Sequence, residues 1–133
     1  MTTIEETERF TPRFGADGLM PCVAVDFDTG AVLMLAWVNA AAIERTLATG
    51  FAHYWSRSRG AIWKKGESSG ALQAVCEVRT DCDQDALVYR VTPERRADTC
   101  HTGRGTCFYR VVELATASAA GGGAGPRLRF DPE

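Results

Sequence analysis

No stretch of the chain approaches the roughly eighteen consecutive apolar residues of a membrane-spanning helix, so none is expected. The opening residues, Met1 to Phe10, are polar and acidic and lack the apolar core of a signal peptide. A large excess of one charge is missing too. The formal net charge is −2, which gives no general attraction to nucleic acid or to an anionic membrane. There is no internal repeat, no Walker loop, and no closely paired ligand spacing of a zinc finger or zinc ribbon. The five cysteines are an odd number. Together with the missing signal peptide they fit a reducing cytoplasm, where close cysteines more often bind metal than form disulfides.

What is present fits one domain of 133 residues with ordinary apolar content, large enough to hold its own core. Residues 1–20 read as an irregular leader broken by Pro12, Gly15 and Gly18. Pro21 to Phe27 and Ala31 to Trp37 read as a hairpin around Asp28-Thr29-Gly30. Asn39 is an N-cap for a helix over Ala40 to Ala48, with Gly50 as its stop. Short strands are predicted at Phe51 to Ser56, Ala61 to Lys64, Leu72 to Thr80, Asp85 to Val91 and Thr106 to Leu114. In the third of these, Leu72, Ala74, Cys76 and Val78 should share one face against Gln73, Glu77 and Arg79. From Ala115 the chain is almost wholly Ala, Gly, Ser and Thr. Residues 1–114 are therefore expected to form the domain and 115–133 a flexible tail. The fold class is α+β and mostly β, a small barrel-like domain of short strands with one main helix, whose edge strands invite pairing with a second subunit.

The chemistry concentrates in two segments. In Asp81-Cys82-Asp83-Gln84-Asp85, an extended backbone would put the three carboxylates on one face and the thiol on the other. Oxygen ligands suit a hard ion such as magnesium, and thiolate suits zinc. An isolated Asp-x-Asp-x-Asp string is equally a solvated turn, and the EF-hand reading fails because Ala86 and Thr92 stand where Gly and Glu are needed. The second segment runs Cys100-His101-Thr102-Gly103-Arg104-Gly105-Thr106-Cys107. Cys82, Cys100 and Cys107 lie among polar and glycine residues and are read as metal ligands, three being the usual number at a catalytic zinc. Cys22 and Cys76 lie in apolar strand patterns and are read as small buried hydrophobes. His101 is a fourth ligand, a general base, or a surface histidine, while His53 is structural. Arg57, Arg59, Lys64 and Lys65 cluster without an intervening acid, suggesting an anion site. The loop Lys65 to Gly70 could cradle a phosphate through backbone N–H groups and the Ser68 and Ser69 hydroxyls. Trp37 and Trp55 read as core or interface. Trp63, between basic residues and that loop, is the tryptophan most open to a binding role.

Five ordered motifs carry a resemblance: Met34-Leu35-Ala36-Trp37-Val38-Asn39, Ser56-Arg57-Ser58-Arg59, Trp63 to Gly70, Asp81 to Leu87 and Cys100 to Phe108. Over about residues 18–112 the chain resembles the phosphoribosyl-AMP cyclohydrolases of histidine biosynthesis. The resemblance implies hydrolysis of the N1–C6 bond of the adenine ring of 1-(5-phosphoribosyl)-AMP, giving the formimino-aminoimidazole carboxamide ribonucleotide. Zinc would activate the attacking water, as in purine deaminases. It implies zinc on Cys82, Cys100 and Cys107, and magnesium on Asp81, Asp83 and Asp85. It further implies an intertwined homodimer, with Cys82 of one subunit joining Cys100 and Cys107 of the other. His101 would carry a proton. Arg57, Arg59, Lys65, Ser68, Ser69 and Gly70 would hold the phosphates or ribose, and Trp63 would border the purine. Thr106 stands where the family often has serine, which keeps the hydroxyl. Some relatives are fused to a phosphoribosyl-ATP pyrophosphatase domain; with a short Gly/Ala end here, only the cyclohydrolase step is expected.

Two other readings compete. One is a zinc-stabilised nucleic-acid-binding module using the basic cluster, disfavoured by the acidic balance and the carboxylates beside Cys82. The other is a magnesium-dependent nucleotide phosphohydrolase, which leaves the three cysteines unexplained. Neither nucleic acid nor membrane is expected as a partner.

Overall fold

The computed structural model describes residues 3–114 and 125–131. The elements are β1 (Met20–Asp26), β2 (Val32–Val38), α1 (Ala40–Thr49), β3 (His53–Ser56), β4 (Ala61–Lys64), β5 (Gln73–Thr80) and β6 (Leu87–Pro93). A short 3-10 turn (Arg96–Asp98) follows, then β7 (Arg110–Val112) and β8 (Leu128–Phe130). The architecture is mostly β with one α-helix, as the sequence predicts. No helix among the described residues is long and apolar enough to cross a membrane.

β1 and β2 form the predicted hairpin. The Asp26 carboxylate accepts from the N–H groups of Asp28 (2.9 Å) and Thr29 (3.1 Å), which fixes the turn. Asn39 Oδ1 accepts from the Ala42 N–H at 2.8 Å, and Gly50 ends α1 at φ 78° with its N–H on the Thr46 carbonyl. The helix buries Ala42, Ile43 and Thr46. Thr46 Oγ1 accepts from the His53 N–H at 2.9 Å and from the Tyr89 hydroxyl at 3.2 Å, tying α1 to β3 and β6.

The six-stranded sheet runs β4-β3-β2-β1-β6-β5. Its pairs are antiparallel except β1 with β6, which is parallel. The sheet curls toward closure. The Ala52 N–H bonds the Gln73 carbonyl and the Val75 N–H bonds the Gly50 carbonyl, so the strand at one edge reaches the segment entering β3 near the other. The core inside the curl is built on Met20, Leu33, Tyr54, Leu87 and Tyr89. Tyr54 sits between Trp63 and Tyr89, with ring centroids 5.1 and 5.6 Å away, and donates to Gln73 Oε1 at 2.7 Å. Fully burying side chains of this size stabilises the fold by about 1.5–3 kcal/mol each.

Several expectations need correction. The Asp81–Asp85 backbone is a turn between β5 and β6, not an extended strand, and Asp85 lies before β6 begins. The alternation in β5 is broken by a bulge between Val75 and Glu77. Cys76 is exposed and Gln73 buried, the reverse of the periodic pattern. The strand expected over Thr106 to Leu114 shrinks to β7. The Cys107 N–H bonds the Leu33 carbonyl at 2.7 Å, and the Thr106 hydroxyl donates to the Val32 carbonyl at 2.8 Å, fastening this segment to β2. Residues 115–124 of the expected tail lie outside the described residues. Beyond them, β8 pairs with β7. Cys22 is buried as expected; His53, read as structural, is buried too, its ring nitrogen Nδ1 lying 2.8 Å from the Phe51 carbonyl.

Candidate active site

The sequence segments meet at two places. The first is a cavity of about 460 Å³ on the β2–β3–β4 side of the sheet. Trp63 of β4, Lys65 just after it and Arg59 from the β3–β4 turn form one wall, and Thr99, Cys100, His101 and Cys107 form another. Met34, Ser56 and Ser58 complete the lining. The cysteine loop is held in place by backbone and side-chain bonds. The Cys100 N–H bonds the Arg104 carbonyl, and Gly103 takes φ 82° in that turn. Arg96 bonds the Gly105 carbonyl through Nε and pairs with the Asp26 carboxylate through Nη1 at 3.4 Å, joining the loop to the end of β1.

The electrostatics of the cavity favour one thiolate. Burial pushes the Cys100 thiol up, but hydrogen bonds from the Thr102 hydroxyl (3.1 Å), the Thr102 N–H and the Cys107 thiol, with the Lys65 charge, hold it below its ordinary value. Desolvation and the neighbouring Cys100 push the Cys107 thiol up to about 11, and Lys65 opposes this. Burial lowers Lys65 itself, against the pull of Cys107, Cys100 and Asp98. Of the pair, Cys100 is therefore the thiol that loses its proton more readily, beside the Lys65 charge.

The second place is the β5–β6 turn. The carboxylates of Asp81, Asp83 and Asp85 offer oxygens within 4.8 Å of one another. Asp81 Oδ1 accepts from the N–H groups of Asp85 (3.0 Å) and Ala86 (3.2 Å). Burial raises Asp81, but its hydrogen bonds with Asp85 and its neighbours leave it lower than usual. Hydrogen bonding to Asp81 and Asp83, and their charges, push Asp85 up to about 6. A crowded set of oxygens sharing protons is a donor set suited to a hard divalent cation, which relieves the like-charge repulsion. Gln84 shapes the turn from within. It is buried, takes φ 58°, accepts from the Thr11 N–H at 2.7 Å and donates to the Arg9 carbonyl at 3.1 Å.

The two places stand at opposite ends of the sheet. Leu87, just after the acidic turn, is level with Cys22, and Cys22 with Ala36. A smaller cavity there, about 310 Å³, is lined by Asp85, Pro21 and Trp37. Cys107 is bonded to Leu33, at the other end of β2. Within one chain Cys82 is exposed and does not join Cys100 and Cys107. Among the described residues, the acidic trio is the only group of three or more metal-ligating side chains whose ligand atoms converge. The thiols of Cys100 and Cys107 thus fit a soft ion as an incomplete donor set, one short of three.

Of the residues singled out in the sequence, Arg59, Trp63, Lys65, Cys100, His101 and Cys107 share the larger cavity. Arg57 instead stacks over the Trp37 ring, 4.7 Å from its centroid. Ser69 gives its carbonyl to Arg95, and Gly70 lies against the same guanidinium. Sequence reasoning assigned no role to Met34, Ser56, Ser58 or Thr99. The first three fell in motifs quoted for the resemblance, but nothing in their spacing marked them as lining residues.

Comparison with known proteins agrees with the sequence resemblance. Residues 34–109 match the family model described as phosphoribosyl-AMP cyclohydrolase. A phosphoribosyl-AMP cyclohydrolase of Sphingopyxis alaskensis is 59% identical over 109 residues, covering 82% of this chain and 85% of the relative. One of Brucella anthropi is 58% identical over 109 residues, covering 82% and 77%. One of Mesorhizobium japonicum is 52% identical over 130 residues, covering 98% and 85%.

Proposed function

The chain belongs to the phosphoribosyl-AMP cyclohydrolase family, and from that premise we propose that the cavity holding Cys100, His101, Cys107 and Lys65 is its substrate site. The activity is hydrolysis of a cyclic amidine, phosphoribosyl-AMP, a step of histidine biosynthesis. A water oxygen bonds to C6 of the adenine ring and becomes the carboxamide oxygen as the N1–C6 bond breaks; of the two protons the water gives up, one goes to the exocyclic nitrogen or, from the cationic ring, to solvent, and the other goes to N1. His101 carries that proton. Arg59 and Lys65 bind phosphate, and Trp63 borders the purine, covering the ring from solvent. Arg57, Ser68, Ser69 and Gly70 form an outer rim for the second phosphate or the ribose.

The metals belong to the same reading. Cys100 and Cys107, with Cys82 of the partner subunit, would hold zinc, and Asp81, Asp83 and Asp85 would hold magnesium. Zinc supplies Lewis-acid activation of water when bound. The enzyme is then a homodimer, since one chain brings only two of the thiols together, and its reduced cysteines suit the cytoplasm. Residues 1–114 are the catalytic domain and 115–133 an appended tail.

The observation that carries this reading is the meeting, in one cavity, of a thiolate-favouring cysteine pair with a histidine and two cations, inside the stretch that matches the family. It is tested by incubating the metal-loaded protein with phosphoribosyl-AMP and following ultraviolet absorbance. The expected result is the spectral change of purine opening. Release of phosphate or pyrophosphate with the ring intact would overturn it in favour of a phosphohydrolase.

A further inference from the structure

The loop that carries the two cavity cysteines is fastened differently at its two ends. Toward Cys107, the Cys107 N–H and the Thr106 hydroxyl bond carbonyls of β2, and the Gly105 carbonyl accepts from Arg96. Toward Cys100, the Cys100 N–H donates to the Arg104 carbonyl at 2.9 Å, so the place of that thiol depends on where Arg104 sits. Arg104 stands between Gly103 and Gly105, and backbone stiffness does little to fix it there. Its side chain supplies the anchor. The guanidinium carbon lies 4.0 Å from the centroid of the Tyr109 ring and 5.4 Å from that of Phe130. The two rings are stacked, 16° from parallel, with centroids 6.1 Å apart. Both contacts are within cation–π range. Among the described residues no ion pair draws that guanidinium elsewhere.

Phe130 belongs to β8, outside the residues 34–109 that match the family model. It pairs with Arg110 of β7, and the Asp131 N–H bonds the Tyr109 carbonyl at 2.9 Å, so main-chain bonds set its ring beside Tyr109. The ring is 63% exposed, which makes it no part of the core. Resting on the reading of Cys100 and Cys107 as zinc ligands, we propose that Arg104 and Phe130 are positioning residues for the metal: β8 clasps the Arg104 guanidinium and so holds the Arg104 carbonyl against the Cys100 N–H. The Cys100 side of the donor set is thereby ordered before an ion arrives. Donors already ordered give up less conformational entropy on binding, so the clasp raises metal affinity. Neither residue lines the cavity, so substrate contacts are left alone. Tyr109 is shared with Arg110, 5.2 Å from its centroid, which makes Phe130 the better position to probe.

The test compares Phe130→Leu, which keeps apolar bulk without an aromatic face, with Phe130→Tyr, which keeps the face. Reduced, metal-free protein is titrated with cobalt(II), and the thiolate-to-metal charge-transfer absorbance is followed. The Tm of the metal-free protein is recorded alongside, with kcat and KM at limiting and at saturating zinc. Phe130→Leu should bind cobalt about three- to tenfold more weakly, with its metal-free Tm unchanged. Its kcat should fall at limiting zinc and return at saturating zinc, with KM unmoved. Phe130→Tyr should stay within about twofold of the parent. Arg104→Ala should weaken binding at least as much as Phe130→Leu, and the double variant should be no weaker than Arg104→Ala, because both act through one contact. Parent affinity in Phe130→Leu, an equal loss in Phe130→Tyr, additive losses in the double variant, or a loss that merely follows a lowered Tm would overturn the proposal. The two layers of inference separate in the parent protein. If it takes up no cobalt on its thiols, the zinc reading falls and the clasp with it. If it binds cobalt with an affinity indifferent to Phe130, the clasp alone is lost.

Discussion

Gly66 shows how a single position sets the wall of the cavity. It takes φ 81°, and a Cβ built there would meet the Ala71 carbonyl carbon at 2.1 Å and the Leu72 nitrogen at 2.3 Å. The loop from Lys65 to Ala71 closes on itself at that point, with the Gly70 N–H on the Gly66 carbonyl at 2.8 Å. Lys65 enters the cavity from the start of this closure. Gly66→Ala must either push two backbone segments apart or abandon the left-handed conformation. The expected cost is about 2 kcal/mol or more, read as a lower Tm with an intact far-ultraviolet spectrum. An unchanged Tm would show that the loop is looser than its geometry. At this scale the sequence was only partly legible. A Gly-Ser loop after two lysines suggested a phosphate cradle, but the approach of Ala71 that demands glycine is a contact across the loop. Gln73 was placed on the wrong face for a similar reason. Its partners, Tyr54 and Met34, lie 19 and 39 residues away in the chain, beyond the reach of any local pattern.

Helix α1 was fully legible because its determinants are local. The capping Asn39, the apolar face of Ala42 and Ile43, and the terminating Gly50 all lie within one short window. Asn39→Ala removes the acceptor for the Ala42 N–H and should cost about 1 kcal/mol, measured by denaturant unfolding. A change below the resolution of that measurement would mean that packing on the sheet alone decides the helix. The acidic turn is the opposite case. The extended backbone that alternation suggested is replaced by a turn fixed at Gln84, whose side chain and carbonyl bond Arg9, Thr11 and Arg13 of the N-terminal arm. The carboxylates converge all the same, by curvature of the turn rather than by the two-residue repeat. The bulge in β5 likewise inverted the expected faces, turning Cys76 outward. Residue type located the chemistry, while the backbone that presents it depended on distant partners.

For the whole molecule, the decisive fact is that one chain keeps Cys82 at the opposite end of the sheet from Cys100 and Cys107. If the proposed zinc site draws on two subunits, it follows that two different inactive variants can repair each other. Cys82→Ala and Cys107→Ala should each lose activity alone. In a twofold-symmetric dimer made from one chain of each, one site receives Cys82 from the Cys107→Ala chain and both other thiols from the Cys82→Ala chain, so it has all three. The second site of that dimer lacks two. Random pairing makes about half of the dimers mixed, so about a quarter of wild-type activity should return when the variants are co-refolded with zinc. Differently tagged chains allow the mixed dimer to be isolated, where the figure rises to about half. A site built within a single chain predicts no recovery at any ratio. Mixed dimers confirmed by mass, zinc-loaded and still inactive, would therefore sink the shared site while leaving the fold and the family untouched.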